Sequence, residues 1–532
     1  MHIRVVLSAL AGIVVFSGCI DAARILAVIP TPSRSHYIWN RSLILALAKR
    51  GHHLTILSPD KEKEPVPNLK LIFLEGSYQA VNEAFNYEDL ANVNAIDTVK
   101  FLWEWGIESC KQQMQTEGAK ELLKMPPDSF DLILTETVLH DCMYVFMHHF
   151  GGGTRIPVIG MTAFGIGPWV DIMTGARTMP SVFAFPALPY LSKMNFWERF
   201  YNTIVTGSHW TGMLYYAYPK HQEIAEKAYG KAIPSIPEIG SNISLVLVNN
   251  HYVINGPQPQ LPGIVEVGGM HCKPSKPLPK DIDTFINGSQ EEAIYFSLGS
   301  NLKSELLSRD RQQMIVRTFA ALGPKIRVVW KFDPDAPIDD LPSNVLLKKW
   351  LPQEDILGHP KLLVFVTHGG LLSTQESIYH GVPIIGVPFV ADQRTNVRRL
   401  EELKVAKEVN ILTTTEDLFA KTILSVVRDD KYRQNMKVLS RLFRDQPQTP
   451  LERAIFWTEF VLRNGKGRIE SLRAPGIDLA WYQYFLLDVI AVFFLSILIA
   501  VLVLIASIHF VCRMIFKMTF KSQSSKDSKK YK

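Results

Sequence analysis

Cysteine is scarce in this 532-residue chain, with five in all. Cys19 lies in an apolar N-terminal run and Cys512 at the edge of an apolar C-terminal one, which leaves Cys110, Cys142 and Cys272. An odd count defines no disulfide framework, and no spacing among them suits a metal site. An excess of one charge is missing too. The formal net charge is +6, but residues 509–532 alone hold Arg513, Lys517, Lys521, Lys526, Lys529, Lys530 and Lys532 against one acid, Asp527. The rest is formally neutral, so the basic balance gives no footprint for nucleic acid. Internal repeats and low-complexity tracts are absent outside that tail, which excludes solenoid architectures. At this length the chain exceeds one ordinary core and divides into domains.

Long apolar runs are confined to the two ends. His2 and Arg4 precede a run from Val5 to Phe16, and small residues follow at Ser17, Gly18, Cys19 and Ala22. This is the pattern of a secretory signal peptide over residues 1–23, too short for a membrane span. Val489 to Ile508 carries no charge and as a helix covers roughly 30 Å, the hydrocarbon thickness of a bilayer. Trp481, Tyr482 and Tyr484 precede it as an interfacial belt would, and the basic tail marks the cytosolic side. The expected topology is therefore type I, with the bulk of the chain in a lumen. Lys529 and Lys530, next to the very end, resemble the dilysine retrieval signal of endoplasmic reticulum membrane proteins. Asn40, Asn242 and Asn287 each head an N-x-Ser sequon usable in that lumen, although Asn40 falls inside a predicted helix.

Between the ends, strands and helices alternate. Arg24–Pro30 reads as a strand, Tyr37–Arg50 as a helix stopped by Gly51, and His53–Leu57 as a second strand. Phe130–Glu136 and Asp141–His149 repeat the theme. From about 164 to 220 the pattern degrades into mixed Pro, Gly and aromatic residues, read as irregular packing, an apolar acceptor pocket or a membrane-touching surface. Cys272–Lys280 is rich in Pro and Lys and reads as a linker between domains over 24–271 and 281–478. Beyond it, strands are expected at Ala293–Ser297, Arg327–Lys331, Val345–Lys348, Leu362–Thr367 and Pro383–Val387, with helices at Leu372–His380 and Gln393–Leu403. The fold class is α/β, with two Rossmann-like doubly wound domains facing a cleft and a C-terminal transmembrane helix. Open sheets of this kind bind ligands at the carboxyl ends of their strands.

The chemistry concentrates between Trp350 and Gln393. The Leu362–Thr367 strand runs into His368-Gly369-Gly370, and a helix opens at once, which exposes N–H groups and a helix dipole to an anion. Trp350, Gln353, Ser373, Glu376, Asp392 and Gln393 surround that turn in order. This constellation resembles the signature of the UDP-glycosyltransferase family, which includes UDP-glucuronosyl- and UDP-glucosyltransferases, and the resemblance extends over nearly the whole chain. It implies a GT-B type arrangement in which a UDP-sugar is the donor. Trp350 would stack on uracil, and Gln353 and Glu376 would hold the ribose. His368, Gly370, Ser373 and the Ser297–Ser300 turn would receive the diphosphate, and Asp392 and Gln393 would bind the sugar. His36 matches the family's catalytic base. The carboxylate that orients it is either Glu136 or Asp141. The helix N-terminus and His368 would stabilise departing UDP, so no metal is required, and no cofactor is expected. Asp281-Ile-Asp283 and Asp333-Pro-Asp335 read as surface or linker acids rather than a metal site. Where vertebrate-type members carry Asn after the Gly-Gly pair, this chain has Leu372, as insect-like members do, which favours UDP-glucose. The expected reaction is inverting transfer of a hexose to a hydroxyl of a small lipophilic acceptor, in detoxification or on endogenous phenols, hormones or pigments. Glucuronosyl transfer, glycosylation of a membrane lipid or sterol, and a catalytically silent UDP-sugar binder are the alternatives. A homo-oligomer is compatible with the sequence.

Overall fold

The computed structural model describes residues 22–84, 93–191, 193–290 and 292–527. Nearly all of the signal segment, and the terminal lysines Lys529, Lys530 and Lys532, lie outside them. Seven parallel strands form the first sheet: β1 (Arg24–Val28), β2 (His53–Ser58), β3 (Leu69–Phe73), β4 (Leu132–Glu136), β5 (Val158–Thr162), β6 (Leu245–Val248) and β7 (Ile264–Glu266), in the order 3-2-1-4-5-6-7. A second parallel sheet holds β8 (Ala293–Ser297), β9 (Arg327–Lys331), β10 (Val345–Lys348), β11 (Leu362–Thr367), β12 (Ile384–Gly386) and β13 (Ala406–Glu408), in the order 10-9-8-11-12-13. Parallel sheets are covered on both faces, so their central strands are apolar throughout rather than alternating. Period two then divides each strand between two cores. Leu26 and Val28 pack with Phe146 and Phe150 on one face, while Ile25 and Ala27 meet Trp39, Leu43 and Ile44 on the other. In the second sheet Ile294 and Phe296 pack with Phe319 and Trp330, and Ala293 and Tyr295 with Val329 and Phe365.

Helices cover these faces and carry the site: α1 (Arg34–Lys49), α2 (Ala95–Gln113), α3 (Tyr144–Phe150), α4 (Phe196–Gly212), α5 (Tyr218–Tyr229), α6 (Leu371–His380), α7 (Gln393–Glu402) and α8 (Pro450–Asn464). Residues 475–532 form a separate compact unit whose helix α9 (Leu487–Asp527) contains a stretch, Leu487–Thr519, long and apolar enough to cross a membrane. That stretch encloses the expected span.

Four features differ from the sequence reading. The segment expected to be irregular is helical from Phe196 to Tyr229: Asn195 and Glu198 form a capping box, and a π turn at Met213–Ala217 absorbs the change of phase ahead of Pro219. The second domain does not keep its chain to residue 478. Helix α8 returns to the first, burying Ala454 and Val461 with Leu43 and Leu47, and Arg50 clasps Glu459 with two hydrogen bonds. Cys110 and Cys142 form a disulfide joining α2 to the segment after β4, although the odd count had suggested no pairing. Asn40 is fully buried in α1, its amide donating to the His36 carbonyl at 3.0 Å. The Asn40 sequon is therefore closed in the folded chain, whereas Asn242 is half-buried and Asn287 exposed.

The bridge closes a loop with a sequence separation of 32. By loop entropy its removal should cost about 3 to 4 kcal/mol. Thermal melting of the chain with and without reductant is expected to show a clear drop on reduction, and a Cys110→Ser, Cys142→Ser double variant is expected to melt low in both conditions.

Candidate active site

Chain order reverses once in each sheet, between β1 and β4 and between β8 and β11, and a crevice opens at the carboxyl ends there. The segments after β1, β8 and β11 deliver polar groups to one cleft lined from both domains. The loop after β1 brings Thr31 and Ser33, the first turn of α1 brings His36, the turn after β8 brings Gly299 and Ser300, and β11 runs into His368 and Gly370, while Glu136 at the end of β4 is bonded to His36. Ser33 and Asn301 join the two sides directly, with the Asn301 amide donating to the Ser33 hydroxyl at 2.9 Å. The Thr395 hydroxyl of α7 donates to the Pro186 carbonyl at 2.9 Å across the same divide.

His36 stands on the first turn of α1, almost buried, with Nδ1 2.5 Å from the Glu136 Oε1. Burial resists ionisation of Glu136, but the His36 imidazole, the Thr31 hydroxyl and His140 together hold its carboxyl below the usual range. An ionised Glu136 accepts from Nδ1–H, which leaves the His36 Nε2 with a lone pair. Phe164 sets its edge against the His36 ring, with centroids 4.8 Å apart. Asp141 does not share in this: its recorded ion-pair contact is His221, at 3.9 Å. Of the two candidate carboxylates, Glu136 is therefore the one bonded to His36.

On the other side, Gln353 donates to the Ser373 hydroxyl at 3.0 Å and to Glu376 at 2.6 Å, and accepts from the Tyr295 hydroxyl at 3.2 Å. Burial, together with the Glu354 charge, pushes the Glu376 carboxyl up to about 8. Trp350 is 55% exposed and offers a free face beside this cluster. Close approach demands glycine at two points. Gly299 has φ +97°, and a Cβ on Gly370 would stand 2.5 Å from the His368 imidazole. Gly370 opens α6, whose first N–H groups point at the cavity. Gln393 accepts from the Phe389 and Val390 N–H groups, which leaves its amide for a ligand, and Asp392 accepts from Asn396 at 2.9 Å.

Two features of the cleft escape the sequence reading. Lys331 ends β9, donates to the Gly299 carbonyl at 2.7 Å and sits 4.9 Å from the Trp350 ring. Burial pulls its ammonium down to about 8, and burial with the Lys331 charge pulls His368 to about 4. A basic residue closing a strand at the binding edge was the available signal. Leu139 (φ 70°) and Ala391 (φ 58°) both line the cleft in the left-handed region, where non-glycine residues are strained. The acids at 281, 283 and 333 instead pair outside the cleft with Lys348, His359 and Lys349.

The family model for UDP-glucoronosyl and UDP-glucosyl transferases matches residues 24–522. The chain is 33% identical over 96% of its length to UDP-glycosyltransferase UGT5 of Dactylopius coccus, covering 96% of that protein. It is 32% identical, over the full length of both chains, to UDP-glucosyltransferase 2 of the same insect. Human UDP-glucuronosyltransferase 2B15 is 32% identical over 93% of each chain. Among solved structures, the glycosyltransferase VinC aligns with a TM-score of 0.57 at 16% identity, over 83% of this chain and all of that one. Phytolacca americana UGT2 aligns with 0.53 at 17%, over 83% of this chain and 99% of that one. The chain belongs to the UDP-glucuronosyl and UDP-glucosyl transferase family. It is a GT-B enzyme that transfers sugar from a UDP-sugar.

Trp350→Ala should weaken UDP binding roughly tenfold or more, the worth of one stacked base, measured by calorimetry. Affinity for UDP is also expected to fall as pH rises through about 8, where Lys331 loses its proton. Lys331→Arg, which stays charged, should hold the upper limb flat, and Lys331→Met should lose affinity at every pH. A limb unchanged in Lys331→Arg would instead assign the titration to Glu376.

Proposed function

We propose that the chain transfers glucose with inversion from UDP-glucose to a hydroxyl of a small lipophilic acceptor, with His36 as general base. The observation that carries this reading is the 2.5 Å His36–Glu136 bond opening onto a cavity whose far wall is the donor turn. The His36 Nε2 takes the acceptor proton as the acceptor oxygen bonds to the anomeric carbon. The bond from that carbon to the β-phosphate oxygen breaks, and UDP leaves with the electron pair. The α6 N-terminus, His368 and Lys331 meet the growing negative charge, so the scheme calls for no metal. Glu136 holds the ring and stabilises the imidazolium. Asp392 and Gln393 bind the sugar hydroxyls.

Glucose is favoured over glucuronic acid by Leu372 and by the full-length similarity to an insect protein named as a UDP-glucosyltransferase. The lipophilic acceptor is supported by a second cavity, opening beside Phe164 and walled by Trp103, Trp169, Phe185 and Met213. Helix α9 and the basic tail support anchorage in the endoplasmic reticulum membrane with the catalytic domains lumenal.

The test is transfer of label from UDP-glucose, beside UDP-glucuronic acid, onto a panel of phenols and alcohols in membranes carrying the full chain. Product from UDP-glucose is expected in wild type and absent in His36→Ala, with Glu136→Gln lowering kcat by about 10²- to 10⁴-fold. UDP-glucose binding without product from any acceptor, alike in wild type and His36→Ala, would favour a silent binder.

A further inference from the structure

The cavity beside Phe164 carries polar groups that the transfer scheme leaves unused. It shares Leu102, Leu139, Phe164, Ala391 and Asp392 with the His36 cavity, so the two are continuous. Beyond the shared residues it is lined by aromatic rings and by four titratable groups, Asp141, His209, Tyr218 and His221. His209, on α4, is 8% exposed and lies against Phe185 and Trp103, with centroids 5.5 and 6.2 Å away. Among the described residues nothing hydrogen-bonds its ring nitrogens. His221, on α5, is buried, and its Nδ1 has no partner. Asp141 is buried beside it, at 3.9 Å from Nε2, too far for a hydrogen bond. Burial pulls His209 to about 4 and His221 to about 3, and it pushes Asp141 up to about 7. Both imidazoles are therefore neutral near pH 7, and each keeps one N–H and one lone pair.

Buried polar groups left unpaired are costly, and a site that holds them discriminates strongly for a ligand that pairs them. A hydroxyl both donates and accepts, which matches the unpartnered ring nitrogens of His209 at the cavity wall. A ligand carboxylate would instead meet Asp141. Hydroxyls at opposite ends of a flat aromatic scaffold would reach both the His36 side and this patch through the aromatic-walled cavity.

We propose that His209, in the cavity that Asp141 and His221 also line, forms a second acceptor-recognition subsite that selects aromatic acceptors carrying two hydroxyl groups. One hydroxyl is presented to His36 and the other is held at His209. This rests on the acceptor reading above, but its test does not require turnover. Quenching of the pocket tryptophans, with UDP present, gives the affinity of the full chain for naphthol and for a naphthalenediol with hydroxyls on opposite rings. The diol is expected to bind about tenfold tighter, one well-made hydrogen bond. His209→Leu should bring the diol to the affinity of naphthol, and His209→Asn should keep part of the preference. In transfer assays the loss should fall on KM rather than kcat. Equal affinity of wild type for the two probes would overturn the proposal. So would an undiminished preference in a His209→Leu variant that melts like wild type. If His209→Leu does not fold, the preference must fall in Asp141→Asn, and its survival there would be equally contrary. A diol that binds with preference but receives no sugar would count against the transfer reading and leave the subsite standing.

Discussion

A carboxylate at the closed end of a central parallel strand has no water to solvate it and must find a partner or give up its charge. Glu136 ends β4 in that position, 1% exposed, and its partner is the His36 imidazole. The rest of the cleft depends on this bond. It fixes which imidazole nitrogen faces the cavity, and it needs β1 and β4 side by side at the point where the strand order reverses. It also needs α1 to start close behind β1, which the short Thr31–Ser33 loop provides. Helix α8, returning from the second domain to pack on α1, holds that helix from outside. The second sheet repeats the reversal at β8 and β11, so the donor turn faces the proposed base across a single cavity.

The donor side shows how a cluster of buried groups awaits an anion. Lys331 and His368 are both pulled down by burial, and the Glu305 charge only partly opposes this at Lys331. The Glu376 carboxyl, bonded to Gln353, is pushed up by burial and the Glu354 charge. Strain accompanies the cluster, since Leu139 and Ala391 hold left-handed backbone on opposite walls where the proposed acceptor and sugar would meet.

Much of this was legible in the sequence for a physical reason. Strands buried on both faces read as short apolar runs, so Ala293–Ser297, Arg327–Lys331, Val345–Lys348 and Leu362–Thr367 coincide with the observed elements. The half-exposed edge strand β3 and the three-residue strands β7 and β13 carry no such run, while β5 and β6 are buried apolar runs that the sequence reading leaves unassigned. The expected donor residues from Trp350 to Gln393 lie close together in sequence because two adjacent crossovers carry them; His368, Gly370, Ser373, Asp392 and Gln393 line the cleft, and Gln353 is bonded to Ser373 and Glu376. The acceptor side is assembled from α2, α4, α5 and the loop after β4, and no local spacing announces it. The Cys110–Cys142 bridge was hidden because an odd count carries no connectivity. Glu136 and Asp141 differ only in which strand end or helix start they occupy, and that is settled by which one reaches His36.

The central claim is a single displacement at the anomeric carbon, with the acceptor deprotonated on the His36 side and UDP leaving toward α6. The anomeric configuration of the product tests it most directly, read by nuclear magnetic resonance on glycoside made from an α-linked UDP-sugar. A β-glycoside is the expected result, because in the proposed scheme the acceptor would attack from the His36 wall and UDP would leave toward the opposite one. An α-glycoside would contradict it, since retention requires a second nucleophile or a same-face route that this arrangement of His36 and Glu136 does not provide.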